Sequence, residues 1–140
     1  MPQFVGSYLG YLLAQAGLKV NEEFHQYIKS QGVAVLTWRI LASIQHEPTS
    51  VNELAKRVLV NQSTLSKALD RLERDELVVR TRDATQHRRV NVSIAPKGQE
   101  IVDGLIPIAK EYEERAFEHM PTGERKKLKL VLQQLIDHHP

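Results

Sequence analysis

The feature that most constrains this chain is a change of hydrophobic period near Asp75. Before that residue, apolar side chains recur at the three- and four-residue spacing of an amphipathic helix, at Leu65, Ala68, Leu69 and Leu72. After it, two short valine-rich segments over residues 77–82 and 89–94 are typical of strands, and a polar loop over residues 83–88 joins them. The sequence therefore predicts a helix that leads directly into a β-hairpin with a basic tip.

A second short helix precedes this one. Ser50 and Glu53 fit the capping-box pattern, in which each side chain satisfies a free backbone N–H group of the other residue. Asn61 is a good cap for the helix that follows, and only Leu59-Val60-Asn61 separates the two. Two short helices, a tight turn and a hairpin together predict a winged helix-turn-helix.

The rest of the chain is predicted to be helical, so the expected fold is mainly α with a small β-hairpin wing. Gly17 and Asn21 mark either a bend or an end in the first of these helices, and Pro107 should kink a later one. The helices are predicted over residues 4–30, 34–45, 96–118 and 123–138.

Composition narrows the class of protein. The chain has 140 residues, which suits one domain, and it has no cysteine, which excludes disulfides and thiolate sites. No apolar run approaches the ~18 residues of a membrane span, and residues 1–4 do not resemble the start of a signal peptide, so we expect a cytoplasmic protein. The glycines are dispersed and no serine has an evident base, so neither an enzyme nor a cofactor is expected.

Six histidines raise the question of a metal site. His138 and His139 follow Asp137 and could bind a divalent ion, but a polar terminal tail explains them better. The other histidines do not form ligand spacing by themselves. We therefore predict no metal site, while distant histidines brought together by folding, in a metal site or in the active site of an enzyme, remain an alternative.

The helix after Asn61 has the chemistry of a DNA-reading helix. An α-helix fits the major groove, where short polar side chains allow close approach and longer cations reach phosphate or guanine. The alternative is an ordinary solvated face. The candidate contacts on this helix are Gln62, Ser63, Thr64, Ser66, Lys67 and Arg71.

The hairpin concentrates positive charge although the net charge of the chain is only +2. Arginine at a hairpin tip suits the narrow, strongly negative minor groove. Arg80 adds to this charge, and the candidate contacts are Arg82, His87, Arg88 and Arg89. The expected partner is therefore double-stranded DNA.

Acidic residues crowd the end of the same helix, at Asp70, Glu73, Asp75 and Glu76. They indicate that only the first part of the helix enters a groove. They also keep open an alternative function, a winged-helix module that binds proteins and has lost DNA binding.

An ordered series of segments resembles the MarR family of transcriptional regulators over roughly residues 33–100. No single segment is diagnostic, but their order and spacing are. The segments are Trp38-Arg39-Ile40-Leu41, Ser50-Val51-Asn52-Glu53-Leu54-Ala55, Asn61-Gln62-Ser63-Thr64-Leu65-Ser66-Lys67, Arg71-Leu72-Glu73-Arg74, Leu77-Val78-Val79-Arg80 and Pro96-Lys97-Gly98.

The resemblance implies a homodimeric repressor that binds a pseudo-palindromic operator. Residues 1–32 and 96–140 would be the dimerisation helices, and residues 33–95 the winged helix-turn-helix DNA-binding domain. Many members of the family respond to small aromatic compounds bound between these parts. Tyr8, Tyr11 and Trp38 are the candidate effector contacts, and core or dimer-interface packing is the alternative role for each.

The chain departs from the family pattern at several positions. Gln86 stands where the wing usually has an aspartate that holds the arginine, and Asp83 is a candidate substitute. Ala34 and Ala95 replace capping residues, and Glu76 stands where a glycine often ends the recognition helix. These departures bear on stability and on the rigidity of the wing.

Overall fold

The computed structural model describes residues 4–86 and 88–139. It confirms a mainly helical fold with a β-hairpin, in the predicted order and with most bounds within two residues of the predicted ones. The elements are α1 (Phe4–Ser7), α2 (Leu9–Ser30), α3 (Val35–Ile44), β1 (Thr49–Ser50), α4 (Val51–Val58), α5 (Gln62–Arg74), β2 (Val78–Arg82), β3 (Val90–Ile94), α6 (Pro96–Ala116) and α7 (Thr122–His138).

The first helical region is interrupted at Tyr8, between α1 and α2, and not at either predicted position. Gly17 and Asn21 both lie inside α2, where the Asn21 side-chain amide donates to the Gly17 carbonyl at 2.8 Å. This bond within the helix occupies the asparagine side chain, which would otherwise compete with the helical backbone.

The hairpin is part of a three-stranded antiparallel sheet in the order β1-β3-β2. Thr49 pairs with Val92 and Ser50 pairs with Asn91, so the residues that lead into α4 also form a short strand. This strand was not predicted, because two residues are too few to show alternation. It fixes the start of α4 against the hairpin.

The hydrophobic core lies in a compact unit formed by Phe24–Ala109. The predicted stripes of α4 and α5 supply much of it, since the side chains of Leu54, Val58, Leu65 and Leu69 are fully buried. Burial of apolar side chains of this size stabilises the fold by about 1.5–3 kcal/mol each. This core holds α3, α4, α5 and the sheet together.

A second compact unit consists of Met1–Glu23 and Lys110–Pro140. Its described residues include no fully buried side chain, although many are large and apolar. Helices α2 and α6 each contribute residues to both units.

Among the described residues, no helix is both long enough and apolar enough to cross a membrane.

Candidate nucleic-acid interface

The turn between α4 and α5 is defined by caps at both ends. Leu59 ends α4 in the left-handed conformation, with φ of 65°, and its backbone N–H donates to Ala55. Asn61 Oδ1 accepts the Thr64 backbone N–H at 2.8 Å and begins α5, as predicted. At the start of α4, Ser50 Oγ accepts the Glu53 backbone N–H at 3.2 Å, which confirms the serine half of the capping box.

Helix α5 has one buried face and one exposed polar face. The buried face packs into the core through Leu65, Ala68, Leu69 and Leu72. The side chains of Lys67 and Arg71 lie one turn apart and are exposed, and neither makes an ion pair with another described residue. The other exposed candidates on this helix are Gln62, Ser63, Thr64 and Ser66.

Gln62, the first residue of α5, has a protein partner. Its side-chain Nε2 donates to Asn52 Oδ1, in the first turn of α4, at 2.6 Å. Sequence reasoning singled out Gln62 but missed Asn52, because a pairing of residues ten positions apart depends on the geometry of the turn.

The tip of the wing is organised by Asp83. Its Oδ1 accepts the Thr85 backbone N–H at 2.8 Å, the Thr85 hydroxyl at 2.7 Å and the Gln86 backbone N–H at 3.2 Å. These bonds, the Thr85 hydroxyl first, hold the pKa of Asp83 below its usual range. Asp83 therefore orders the loop backbone at the wing tip. The Arg89 carbonyl closes the loop by accepting the Asp83 backbone N–H at 2.8 Å.

Three of the predicted wing cations are exposed at the surface of the described residues. Arg82, Arg88 and Arg89 are exposed, and Arg89 Nε makes only a long bond of 3.4 Å to Asn91 Oδ1 among the contacts recorded for it. The fourth wing candidate, His87, lies outside the described residues.

The prediction that Arg80 adds to the exposed positive charge of the wing is wrong. Its guanidinium faces α5 and donates to Glu73 Oε1 at 2.9 and 3.1 Å and to Asp70 Oδ1 at 2.6 Å. The Arg80 backbone N–H donates to Glu73 Oε2 at 3.1 Å, and this bond is the main reason that the pKa of Glu73 is lowered. Arg80 thus belongs to an internal ion-pair network with Glu73 and Asp70, and its single positive charge offsets part of the acidic charge at the end of α5.

A cleft of about 810 Å³ lies between α4, the start of α5 and the wing. Asn52, Gln62 and Ser66 line the helical side, while Arg88 and Arg89 line the wing side. The cleft also contains Arg57, whose Nε lies 3.5 Å from the Glu53 carboxylate. The excess positive charge of the cleft therefore comes from Arg88 and Arg89.

The effector candidates lie in different surroundings. Trp38 is partly buried and packs edge-on against Phe24, with ring centroids 5.1 Å apart. Tyr8 stacks on Phe4 at 4.9 Å, and both Tyr8 and Tyr11 are exposed.

Across the described ranges, no three histidine or acidic side chains are placed to hold a metal ion.

Comparison with known proteins agrees with this arrangement. A profile of the MarR family matches residues 31–89. The repressor NicR of Pseudomonas putida is 28% identical over 97% of this chain and 87% of its own length. The crystal structure of a MarR family transcriptional regulator from Silicibacter pomeroyi is 31% identical, covers 99% of both chains and superposes with a TM-score of 0.86.

A more distant structure shares the fold. This structure is that of BpsR from Bordetella bronchiseptica, and it concerns the regulation of its DNA binding by 6-hydroxynicotinic acid. The two chains are 22% identical, the match covers 91% of this chain and 97% of that chain, and the TM-score is 0.77. The full-length match at 31% identity and the family profile agree on one assignment. The chain therefore belongs to the MarR family and is a DNA-binding transcriptional regulator, not an enzyme.

Proposed function

We propose that the chain is a homodimeric repressor that inserts α5 into the major groove and the wing into the minor groove of a pseudo-palindromic operator. The observation that carries this proposal is the cleft in which the exposed start of α5 faces Arg88 and Arg89 of the wing. Major-groove base edges suit the polar side chains of α5, and the narrow minor groove attracts arginine.

The charge pattern of α5 supports entry by its first half. Ser63, Thr64 and Ser66 are short and exposed, and Lys67 follows directly. Asp70 and Glu73 would repel phosphate, and the single positive charge of Arg80, which bonds to both, offsets part of that repulsion. The acidic patch that kept a protein-binding module open as an alternative is therefore partly compensated and confined to the end of α5, and DNA remains the favoured partner.

A homodimer explains the apolar surface of the unit formed by the terminal helices. Phe4 and Leu9 are 73% and 74% exposed, and Leu130 and Ile136 are 59% and 63% exposed. Surface of this kind, without a buried core beneath it, favours an interface with a second copy of the chain. A two-fold dimer would place two α5 helices in successive major grooves, about 34 Å apart.

A relative and a structural neighbour support the proposal that a small aromatic compound regulates this chain. NicR is named as a repressor, and the DNA binding of BpsR is regulated by 6-hydroxynicotinic acid. In this chain, Tyr8, Tyr11 and Trp38 each remain an individual candidate for an effector contact, as predicted from the sequence. An effector would act by favouring a dimer in which the two wings no longer match the operator. A repressor of this kind works in the cytoplasm.

The test is a titration of the full chain against the DNA upstream of its own gene, with excess non-specific competitor and at two salt concentrations. We expect binding that survives the competitor and weakens steeply with salt, because phosphate contacts release counterions. Sedimentation of the free protein should give the mass of a dimer. A monomer that selects no sequence, even from a random DNA pool, would contradict the proposal.

A further inference from the structure

The contact between Asn52 and Gln62 joins the two helices of the helix-turn-helix at the surface of the cleft. Asn52 lies in the first turn of α4 and Gln62 begins α5. Both side chains are exposed and both line the cleft, together with Ser66 and the wing arginines. The 2.6 Å bond from Gln62 Nε2 to Asn52 Oδ1 therefore acts at the surface that meets DNA and not in the core.

This bond determines what Gln62 can offer to a base. A primary amide has two N–H donors and one carbonyl acceptor. One donor is used on Asn52, and no other partner of the Gln62 side chain is recorded among the described residues. Gln62 thus keeps one donor and one acceptor, and the bond fixes which end of the amide faces α4.

Of the two purine edges in the major groove, only that of adenine matches one donor beside one acceptor. Adenine presents the N7 acceptor next to the N6 amino donor, whereas guanine presents two acceptors, N7 and O6. A free glutamine could turn both N–H groups towards guanine, but Gln62 has already used one of them. Holding the side chain in place also removes part of the entropy that binding would otherwise cost.

We propose that Asn52 is a specificity-determining residue that positions the Gln62 amide to read adenine, and to reject guanine, at the base pair that faces the start of α5. The inference rests on the proposed function, since it needs α5 in the major groove. Asn52 acts through Gln62, so its effect should appear in sequence preference and not in the general affinity for DNA.

The test uses the full chain and a site selected from random DNA. In a series of duplexes, each base pair of one half-site is replaced in turn. The wild type should prefer adenine over guanine about tenfold at one position. Asn52→Ala should reduce that preference to about twofold, with little change in its affinity for non-specific DNA. Gln62→Ala should abolish it, and the double variant should behave like Gln62→Ala because the two residues act as one unit.

Asn52→Asp separates positioning from a merely structural role. Aspartate keeps the acceptor for Gln62 Nε2 and adds a negative charge beside the phosphates, so it should retain the adenine preference while weakening all duplexes alike. The control is Gln99→Ala, which removes a similar amide bond, Nε2 to Asp103 Oδ1 at 2.8 Å, outside the cleft, and should change nothing.

Unchanged thermal unfolding should show that each variant is folded. A selective wild type whose adenine preference survives Asn52→Ala would overturn the role of Asn52 and leave the proposed function intact. Loss of the preference in Asn52→Asp as well as in Asn52→Ala would also overturn it, because the acceptor would not then be what matters. A wild type that selects no sequence would overturn both proposals.

Discussion

Arg80, on β2, donates three hydrogen bonds to Glu73, on α5, and these bonds use both carboxylate oxygens. The guanidinium contributes bonds of 3.1 and 2.9 Å to Oε1, and the backbone N–H contributes one of 3.1 Å to Oε2. The contact joins the recognition helix to the wing, the two elements that are proposed to meet DNA. It should therefore govern both stability and the relative placement of these elements.

Arg80→Ala should destabilise the fold by about 1–2 kcal/mol, because charge-assisted bonds to a partly buried carboxylate are lost. Urea denaturation at neutral pH measures this directly. Arg57→Ala is the matched control, since it removes an exposed i,i+4 pair of 3.5 Å and should cost less than about 0.5 kcal/mol. An equal loss of unfolding free energy in the two variants would show that the Arg80 contact adds no more stability than an exposed ion pair.

The same contact predicts a dependence on acid. The Arg80 bonds lower the folded-state pKa of Glu73, so its contribution is present above the unfolded-state pKa and is lost as the pH falls through the folded value. The wild type should therefore be more stable than Glu73→Gln at pH 7, and the difference should shrink below about pH 5. Denaturation curves of both proteins between neutral and acid pH test this. A difference that stays constant over that range would exclude Glu73 as the titrating group.

Gly98 allows α6 to approach the backbone of Leu77, between α5 and β2, closely. A Cβ atom at this position would lie 2.3 Å from the Leu77 carbonyl oxygen and 3.1 Å from side-chain atoms of Ile94 and Leu41. Gly98→Ala should therefore cost about 1–3 kcal/mol through backbone displacement. Gly104→Ala, in the same helix but with open space around it, should be neutral or stabilising by up to about 1 kcal/mol. Thermal unfolding of the two variants should shift in opposite directions or differ clearly in size.

Glu76 adopts a left-handed backbone, with φ of 62°, in the turn after α5. This conformation costs a residue other than glycine about 1–2 kcal/mol, while glycine loses more chain entropy on folding. Glu76→Gly should therefore stabilise the fold slightly, by up to about 1 kcal/mol. Asp75→Gly is the control, since Asp75 has a φ of −82° and gains nothing from glycine. If Glu76→Gly lost as much stability as Asp75→Gly, the left-handed backbone at Glu76 would not be strained.

The features that were predictable from sequence depend on patterns of residues that lie close together along the chain. The stripe of Leu65 and Leu69, the caps at Ser50 and Asn61 and the valine-rich strands each depend on residues a few positions apart. Physical rules at that range fix the helix starts and the hairpin within about two residues. The positive φ at Glu76 agrees with the family pattern, which often has glycine there.

The features that were missed depend on contacts between elements. Arg80 was assigned to the wing surface, because nothing in the sequence shows that β2 turns this side chain towards Glu73 and Asp70. Asn52 was overlooked because its partner is reached only across the turn at Leu59. Such pairings follow from packing of the core, which sequence periodicity does not specify.

The most direct test of the proposed interface compares wild type, Arg88→Ala and Arg74→Ala on the same upstream DNA over a range of salt concentrations. Arg88 lines the cleft, whereas Arg74 is exposed in the last turn of α5 and does not. If Arg88 neutralises one backbone charge from the minor groove in each half-site, its loss should weaken binding and reduce the slope of log affinity against log salt by about two, while Arg74→Ala leaves the slope unchanged. An Arg88→Ala variant with wild-type affinity and wild-type slope would contradict the account of the wing.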